Sequence, residues 1–159
     1  MSLMDIEELR GEVGVEWEPR MYEIEKGMIR RFVQAIDDQN PLWQDEEYAR
    51  KSQYGGIIAP PHFILTIGFE QAQQKMTTLM PGAGRLHGGT ELEHYQPVRP
   101  GDTITVSGKI AQVRERESSK LGKMVFVTFD MSYKNQRQEL VAKCRQLTIL
   151  YQPEETKYA

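Results

Sequence analysis

The sequence predicts an α+β fold in which helices cover one face of an antiparallel sheet. Helical patterns fill the first half of the chain, whereas from Leu86 onwards apolar residues alternate as they do in strands. This segregation of helices from strands is typical of an α+β architecture and not of alternating βαβ units. The 159 residues fit a single domain, 1–159, with loose ends expected at about 1–4 and 152–159.

The composition excludes several classes of partner. The net charge of -3 argues against a nucleic-acid-binding surface. No apolar run reaches the ~20 residues of a membrane span, and no basic run is long enough to bind an anionic membrane. The single cysteine, Cys144, cannot form an internal disulfide, which suits a reducing compartment. We therefore expect a cytoplasmic protein without a nucleic-acid or membrane partner.

Short elements open the chain. Met28, Ile29, Phe32 and Ile36 share one face of a helix, which must end before Pro41 because the residue before a proline avoids the helical region. The predicted elements are a helical turn over 5–10, a strand over 21–24, a helix over 28–36 and a helix over 46–51 that begins after the N-cap Asp45.

The stretch Tyr54–Gln74 is the most apolar of the first half. It begins with the flexible pair Gly55-Gly56, continues through Pro60 and Pro61, and is apolar on nearly all sides from His62 onwards. A helix without a polar face is buried, so the stretch predicts a central buried helix reached through a glycine loop. The N-terminus of such a helix could bind an anion or polarise a carbonyl oxygen. From these residues alone, a core helix with a tight turn before it is the favoured interpretation.

The second half of the chain predicts four strands. These are Leu86–Tyr95, Thr103–Val113, 125–133 and Leu140–Tyr151, separated by turns and, over 115–123, by a predicted charged loop. A long central helix wrapped by an antiparallel sheet is the hot-dog arrangement, which we take as the predicted fold.

The sequence lacks the motifs of several common enzyme classes. The sequence has no GxSxG, GxGxxG or GxxxxGK[ST] segment. His62, His87 and His94 are not spaced as a local metal site, and one cysteine adds little. We therefore expect neither a metal nor a cofactor.

The segment Ala35–Trp43, AIDDQNPLW, carries a more specific signal. It resembles the active-site motif Asp-x-Asn-Pro-x-His of MaoC-like dehydratases and (R)-specific enoyl-CoA hydratases, which share the hot-dog fold. Asp38, Asn40 and Pro41 match this motif, but Trp43 stands where the motif has its histidine. The segments Tyr54–Phe63 and Leu86–Ile110 are similar to the glycine loop and the middle strands of the N-terminal-type half domains found in fatty-acid-synthase-like dehydratases.

The resemblance implies roles for individual residues. In catalytic members the aspartate and histidine activate one water, and a backbone N–H of the glycine loop stabilises the thioester oxygen. An indole nitrogen only donates, so Trp43 cannot replace the histidine as a base. Asp38 and Asn40 therefore form a degenerate catalytic site. The implied substrate-binding residues are Trp43, Gly55, Gly56, Ile57, Ile58, Ala59, Pro60 and Phe63.

The resemblance thus predicts an acyl-thioester-binding subunit of an (R)-specific hydratase or dehydratase of fatty acid metabolism. Its ligand would be an acyl-CoA or acyl-carrier-protein thioester, and it would pair with an identical or different hot-dog chain. The catalytic Asp/His pair would lie on the partner. Two alternatives stay open: a self-sufficient hydratase or thioesterase, for which Glu70 is the only acid in the central helix, and a non-enzymatic acyl-CoA-binding homodimer.

Overall fold

The computed structural model describes residues 6–119 and 122–152. Its helices are α1 (Ile6–Gly11), α2 (Lys26–Ala35), α3 (Glu46–Lys51) and α4 (Phe69–Leu79), with 3-10 helices at Pro41–Trp43 and Pro61–Thr66. Its strands are β1 (Arg20–Glu23), β2 (Gly84–His94), β3 (Thr103–Ser118), β4 (Gly122–Lys134) and β5 (Leu140–Tyr151). The predicted loose ends, apart from Gln152, lie outside the described residues.

The strands form one antiparallel sheet in the order β1-β3-β4-β5-β2. Buried and less buried residues alternate along β3 and β4, so one face of the sheet lies against the helices. Ile104, Val106 and Ile110 of β3 are completely buried on that face. The predicted α+β architecture is confirmed.

Local capping explains why α3 begins where the sequence predicts. The Asp45 carboxylate accepts hydrogen bonds from the backbone N–H groups of Glu47 and Tyr48, at 2.9 and 3.0 Å. These bonds satisfy two of the donors that a helix N-terminus leaves unpaired. Acidic residues in the first turn and basic residues in the last turn also suit the helix dipole.

The predicted continuous central helix is wrong in detail. The apolar stretch forms the 3-10 helix Pro61–Thr66, breaks at Ile67 and Gly68, and continues as α4 up to Leu79. Ile67 is extended and Gly68 adopts a left-handed conformation with a φ of 77°, which an α-helix cannot contain. The apolar run predicted burial correctly, but it could not reveal this change of helix type.

The central segment, Pro61–Leu79, comes close to the sheet at Gly68. A Cβ atom built on Gly68 would lie 2.6 Å from Cγ1 of Val106 on β3. The positive φ and this contact both require glycine, since other residues disfavour the left-handed region and have no room for a side chain. The break therefore allows two helical segments to pack tightly on the same sheet.

The predicted charged loop over 115–123 is also wrong. β3 continues to Ser118 and β4 begins at Gly122, and the two strands stay paired up to Ser118 and Gly122. Lys123 and Glu115 form a cross-strand ion pair at 2.9 Å. Cross-strand backbone hydrogen bonds extend the hairpin through a charged sequence that lacks an apolar pattern.

Two apolar clusters form the core between helices and sheet. One joins α2, the Pro61–Thr66 helix and the ends of β3, β4 and β5 near Tyr133 and Cys144, and both of these residues are buried. The other joins α1 and α4 to Ile110, Phe129 and Leu150 of the sheet. Cys144 is thus a core residue, as its strand pattern predicts.

The opposite face of the sheet carries alternating charges across four strands. Lys109, Asp130, Arg145 and Glu91 are successive cross-strand neighbours on β3, β4, β5 and β2. Arg145 donates to both carboxylate oxygens of Asp130, at 2.7 and 2.8 Å. Opposite charges placed directly across a sheet stabilise strand pairing. The hydrogen bonds from Arg145 lower the pKa of Asp130 below its usual value.

We expect Asp130→Asn to lower the unfolding temperature by about 1–3 °C at neutral pH. The folded-state pKa of Asp130 is depressed, so its stabilisation is complete above the unfolded value of about 3.9 and is lost as the pH falls through the folded value. Denaturant unfolding at several pH values should therefore show wild type and variant converging in acid. Arg145→Gln should show the same convergence, whereas a pH-independent difference would contradict this account.

None of the helices within residues 6–119 and 122–152 has the length and apolar character needed to cross a bilayer.

Candidate functional site

The Asp38 segment begins where α2 ends. Asp37 adopts a left-handed φ of 51°, and the backbone N–H of Asp38 donates to the Val33 carbonyl oxygen at 3.2 Å. Asn40 then caps the 3-10 helix Pro41–Trp43, since its side-chain oxygen accepts from the Leu42 N–H at 3.0 Å. This tight turn brings Asp38, Asn40 and Trp43 together.

Both carboxylate oxygens of Asp38 are engaged by hydrogen bonds within this turn. Oδ1 accepts from the Asn40 backbone N–H at 2.9 Å, and Oδ2 accepts from Nε1 of Trp43 at 2.8 Å. An indole N–H has no lone pair with which to exchange a proton. Trp43 thus contacts Asp38 from the motif position at which the resembled family has its histidine. It offers Asp38 a hydrogen-bond donor but cannot act as a base.

The Trp43 ring is half-buried against the core cluster that contains Ala59 and Phe63. Two predicted site residues of the central segment thus belong to the same apolar cluster on which Trp43 packs. Phe63 also makes an edge-on ring contact with Phe32, at a centroid distance of 5.7 Å. An acyl chain would meet apolar surface here, but the binding roles of these residues stay a prediction.

The glycine loop presents backbone donors. Gly55 adopts a φ of 67° and its N–H donates to the Ser52 carbonyl oxygen, while the Ala59 N–H donates to Val98 on the neighbouring loop. Between them, the N–H groups of Gly56, Ile57 and Ile58 donate to no acceptor within the described part of the chain. The side chains of Ile57, Ile58, Ala59 and Pro60 are buried.

These free donors could bind a thioester oxygen. The helix that follows them is a six-residue 3-10 helix, not the long α-helix that the sequence predicted. Its dipole is correspondingly small, because a macrodipole sums over aligned peptide units. Any stabilisation of an oxyanion at this loop would therefore come from the N–H groups themselves.

The histidines do not replace the missing motif residue. Among residues 6–119 and 122–152, Asp38 makes no hydrogen bond to a histidine. His87 instead contacts Thr90 and Gln146, at 3.3 and 3.4 Å. Burial and the nearby His62 lower the pKa of His94, which lies at the end of β2.

Glu70 is engaged by its neighbours. Its carboxylate accepts a hydrogen bond from the Tyr22 hydroxyl and lies 4.0 Å from the Arg20 guanidinium. Burial and this hydrogen bond raise the pKa of Tyr22, so the phenol remains a donor. Both contacts are to Oε1, so they orient the carboxylate without occupying its other oxygen, and the thioesterase alternative stays open.

A cavity of about 290 Å³ lies between the central segment and the sheet, beside β2. Its lining residues are Leu65, Phe69, His87, Thr90, Met131, Tyr133, Cys144 and Gln146. This cavity was not predicted from the sequence. The available signal was the presence of Tyr133 and Gln146 at buried positions of strands that are otherwise apolar on that face.

A larger groove, of about 420 Å³, lies on the opposite face of the sheet and includes Lys109, Asp130 and Arg145. Its charged side chains largely neutralise one another, and it is remote in the fold from the Asp38 turn, which lies among the helices. The smaller cavity is the more relevant one, because Met131, Tyr133 and Cys144 of its lining belong to the core cluster on which Trp43 packs. No group of three or more His, Cys, Asp or Glu side chains within the described ranges could hold a metal ion.

A family comparison decides the relationship that these features suggest. Residues 12–144 match the family described as the FAS1-like dehydratase domain region. The chain belongs to this family. The resemblance drawn from the Asp38 motif and the glycine loop is thereby confirmed.

Individual relatives of this FAS1-like dehydratase region are distant. A UPF0336 protein from Streptomyces avermitilis is 34% identical over 96 residues, covering 58% of this chain and 64% of the relative. A probable enoyl-CoA hydratase alpha subunit from Thermomonospora curvata is 28% identical over 145 residues, covering 82% of this chain and 46% of that protein. The chain thus matches only about half to two thirds of the length of these two relatives.

A solved structure shares the fold of the FAS1-like dehydratase region. It is the ChsH1-ChsH2 complex from Mycobacterium tuberculosis, whose matched chain has a TM-score of 0.76 at 22% identity. The match covers 96% of this chain and 94% of the other. Together with the five-stranded sheet wrapped around the central segment, this likeness confirms the predicted hot-dog fold.

Proposed function

We propose that this chain is the acyl-thioester-binding, non-catalytic subunit of a hot-dog hydratase or dehydratase. The observation that carries the proposal is the 2.8 Å hydrogen bond from Trp43 Nε1 to Asp38 Oδ2. With its other oxygen held by the Asn40 N–H, Asp38 lacks the partner base that water addition to an enoyl thioester needs. Asp38 and Asn40 then shape the turn and leave catalysis to another chain.

The remaining features support thioester binding. The N–H groups of Gly56, Ile57 and Ile58 supply donors for a carbonyl oxygen, and Trp43 and Phe63 supply apolar surface for an acyl group. Apolar walls with a few well-placed polar groups are typical of small-molecule sites. The thioester could be carried by CoA or by an acyl carrier protein.

The edge of the sheet supports a partner chain. β2 extends over 11 residues and, within the described residues, pairs only with β5, so its other edge is open. A long open edge is a template for another strand. We propose that a second hot-dog chain adds its own strand there. A relative named as an alpha subunit and a fold neighbour solved as a two-chain complex support this proposal.

We expect the purified chain to bind but not to hydrate enoyl-CoA. The assay follows the conjugated enoyl-thioester absorbance with one short and one long substrate, while calorimetry measures binding of the matching saturated acyl-CoAs. Hydration should stay at the uncatalysed rate in wild type and in Asp38→Asn, because Trp43 supplies no base. Adding a hot-dog chain with an intact Asp-x-Asn-Pro-x-His motif should produce activity.

Two results would count against the proposal. Hydration by the chain alone that disappears in Asp38→Asn would show that Asp38 works with a base elsewhere. Failure to bind any acyl-CoA, alone or with the partner, would remove the thioester-binding role.

A further inference from the structure

The cavity beside β2 combines apolar walls with polar side chains, of which Tyr133 and Gln146 are buried. Leu65 and Phe69 contribute apolar surface from the central segment, and Met131 and Cys144 contribute it from the sheet. Four other lining residues carry hydrogen-bonding side chains, namely His87, Thr90, Tyr133 and Gln146. At about 290 Å³, the cavity lies near the lower limit of the ~300–1,000 Å³ typical of ligand pockets.

Tyr133 is the most deeply buried of these polar residues. It is 1% exposed, and the only partner of its hydroxyl within the described residues is the Met131 sulfur at 3.9 Å. A thioether is a weak acceptor, and a good O–H···O bond is only about 2.7–2.8 Å long. Burial raises the pKa of Tyr133, so the hydroxyl keeps its proton and remains a donor. A buried donor without a strong acceptor is destabilising unless another molecule supplies one.

Gln146 is buried and only weakly engaged. It is 7% exposed, and its Nε2 lies 3.4 Å from Nδ1 of His87, which is a long contact. Its Oε1 has no hydrogen-bond partner among residues 6–119 and 122–152. The amide therefore has both donor and acceptor capacity left to offer a ligand. The other ring nitrogen of His87 is near Thr90 Oγ1, at 3.3 Å.

The cavity lies where a partner would close it. His87 and Thr90 belong to β2, which has the open edge of the sheet. A partner strand added there would cover this side of the cavity and reduce its contact with water. Excluding water strengthens the hydrogen bonds inside such a site. It also raises the free-energy cost of leaving a buried polar group without a partner.

We propose that this cavity selects an acyl group that carries an oxygen atom along its chain, such as a keto group, over a plain alkyl chain. The Tyr133 hydroxyl donates a hydrogen bond to that oxygen, and the Gln146 amide offers a second one. The apolar walls contact the carbon chain on either side. This inference rests on the proposed function, which makes an acyl thioester the ligand.

A plain alkyl chain would fill the cavity with a loss of binding free energy. It would displace water from Tyr133 and Gln146 without replacing the hydrogen bonds. Sites built to hydrogen-bond a ligand oxygen reject the analogue that lacks it far more strongly than apolar sites reject an extra methylene. The preference for the oxygen-bearing ligand should therefore be measurable even in this open form of the chain.

The test is calorimetric binding of octanoyl-CoA and of its 5-oxo, 6-oxo and 7-oxo derivatives to the full chain. At least one oxo derivative should bind about 10-fold more tightly than octanoyl-CoA. Tyr133→Phe keeps the ring and removes the hydroxyl, so it should remove most of this preference, because the oxo derivative loses a hydrogen bond and octanoyl-CoA no longer buries an unpaired donor. Tyr48→Phe, at an exposed tyrosine outside the cavity, should change neither affinity.

The outcomes separate this inference from the proposed function. If octanoyl-CoA binds but no oxo derivative binds more tightly, or if Tyr133→Phe keeps the preference, the inference is wrong while the proposed function stands. If none of the four thioesters binds, either to the chain alone or after the partner chain is added, both are wrong. Thermal unfolding checks that Tyr133→Phe is folded, and Gln146→Leu, which should weaken the preference, provides a second variant if it is not.

Discussion

Replacing Trp43 with histidine is expected to give the chain enoyl-CoA hydration about 100-fold above that of Trp43→Phe. Histidine would complete the Asp-x-Asn-Pro-x-His motif beside Asp38, whose Oδ2 now accepts the indole hydrogen bond. The ring nitrogen of histidine can accept a proton from water, which the indole cannot do. The loss of enoyl-thioester absorbance measures the rate.

Two further variants test whether the gain in hydration activity requires both the histidine and Asp38. Trp43→Phe removes the hydrogen bond to Asp38 without adding a base, so it should remain inactive. Trp43→His combined with Asp38→Asn should lose most of the gain, because histidine and aspartate hold the water together. If Trp43→His is no more active than Trp43→Phe, the glycine loop does not present a thioester to Asp38, and the donors of Gly56, Ile57 and Ile58 serve another purpose.

Gly68→Ala is expected to lower the free energy of unfolding by about 2–5 kcal/mol. The left-handed conformation costs a residue with a Cβ roughly 1–2 kcal/mol, and overpacking against Val106 costs about 1–3 kcal/mol more. The added Cβ would lie 2.6 Å from a side-chain carbon in a buried contact, so the central segment or β3 must shift. Denaturant unfolding measures the loss.

Gly82→Ala is a matched control for this substitution. Gly82 has a φ of 76°, close to the 77° of Gly68, but nothing lies within 4 Å of the position that a Cβ atom would take there. Its substitution should cost only the roughly 1–2 kcal/mol of the backbone conformation. Equal losses at the two glycines would show that the close approach of Gly68 to β3 contributes nothing.

The strands were the most predictable part of the fold. β5 was predicted at Leu140–Tyr151, as observed, because it follows a turn and stays rich in apolar residues up to Tyr151. The N-cap Asp45 likewise placed α3 correctly, since its hydrogen bonds are local in sequence. Patterns governed by neighbouring residues therefore sufficed for these elements.

Elements governed by distant contacts were harder to predict. The break at Gly68 depends on the approach to Val106, which is far away in sequence. The strands through 115–118 and 122–123 depend on backbone pairing across a hairpin, which overrides their charged composition. In both cases tertiary contacts outweighed the local signal.

In the candidate site, too, features set by neighbouring residues could be predicted and features set by distant contacts could not. The motif identified Asp38, Asn40 and Trp43 as neighbours, and the turn does bring them together. The direction of the indole N–H towards Asp38 could not be read from the sequence, because it depends on a side-chain conformation. The cavity with Tyr133 and Gln146 forms only when β2, β4 and β5 meet the central segment.

The indole–carboxylate hydrogen bond has a consequence for the balance between stability and activity. A catalytic carboxylate must leave acceptor capacity free for water, and enzymes often give up stability to do so. Here the Asn40 N–H and the Trp43 indole N–H each donate to one oxygen of Asp38, so the protein stabilises this carboxylate in its folded position. Trp43→His should therefore unfold at a lower temperature than wild type as it gains activity, as a trade between the two properties requires.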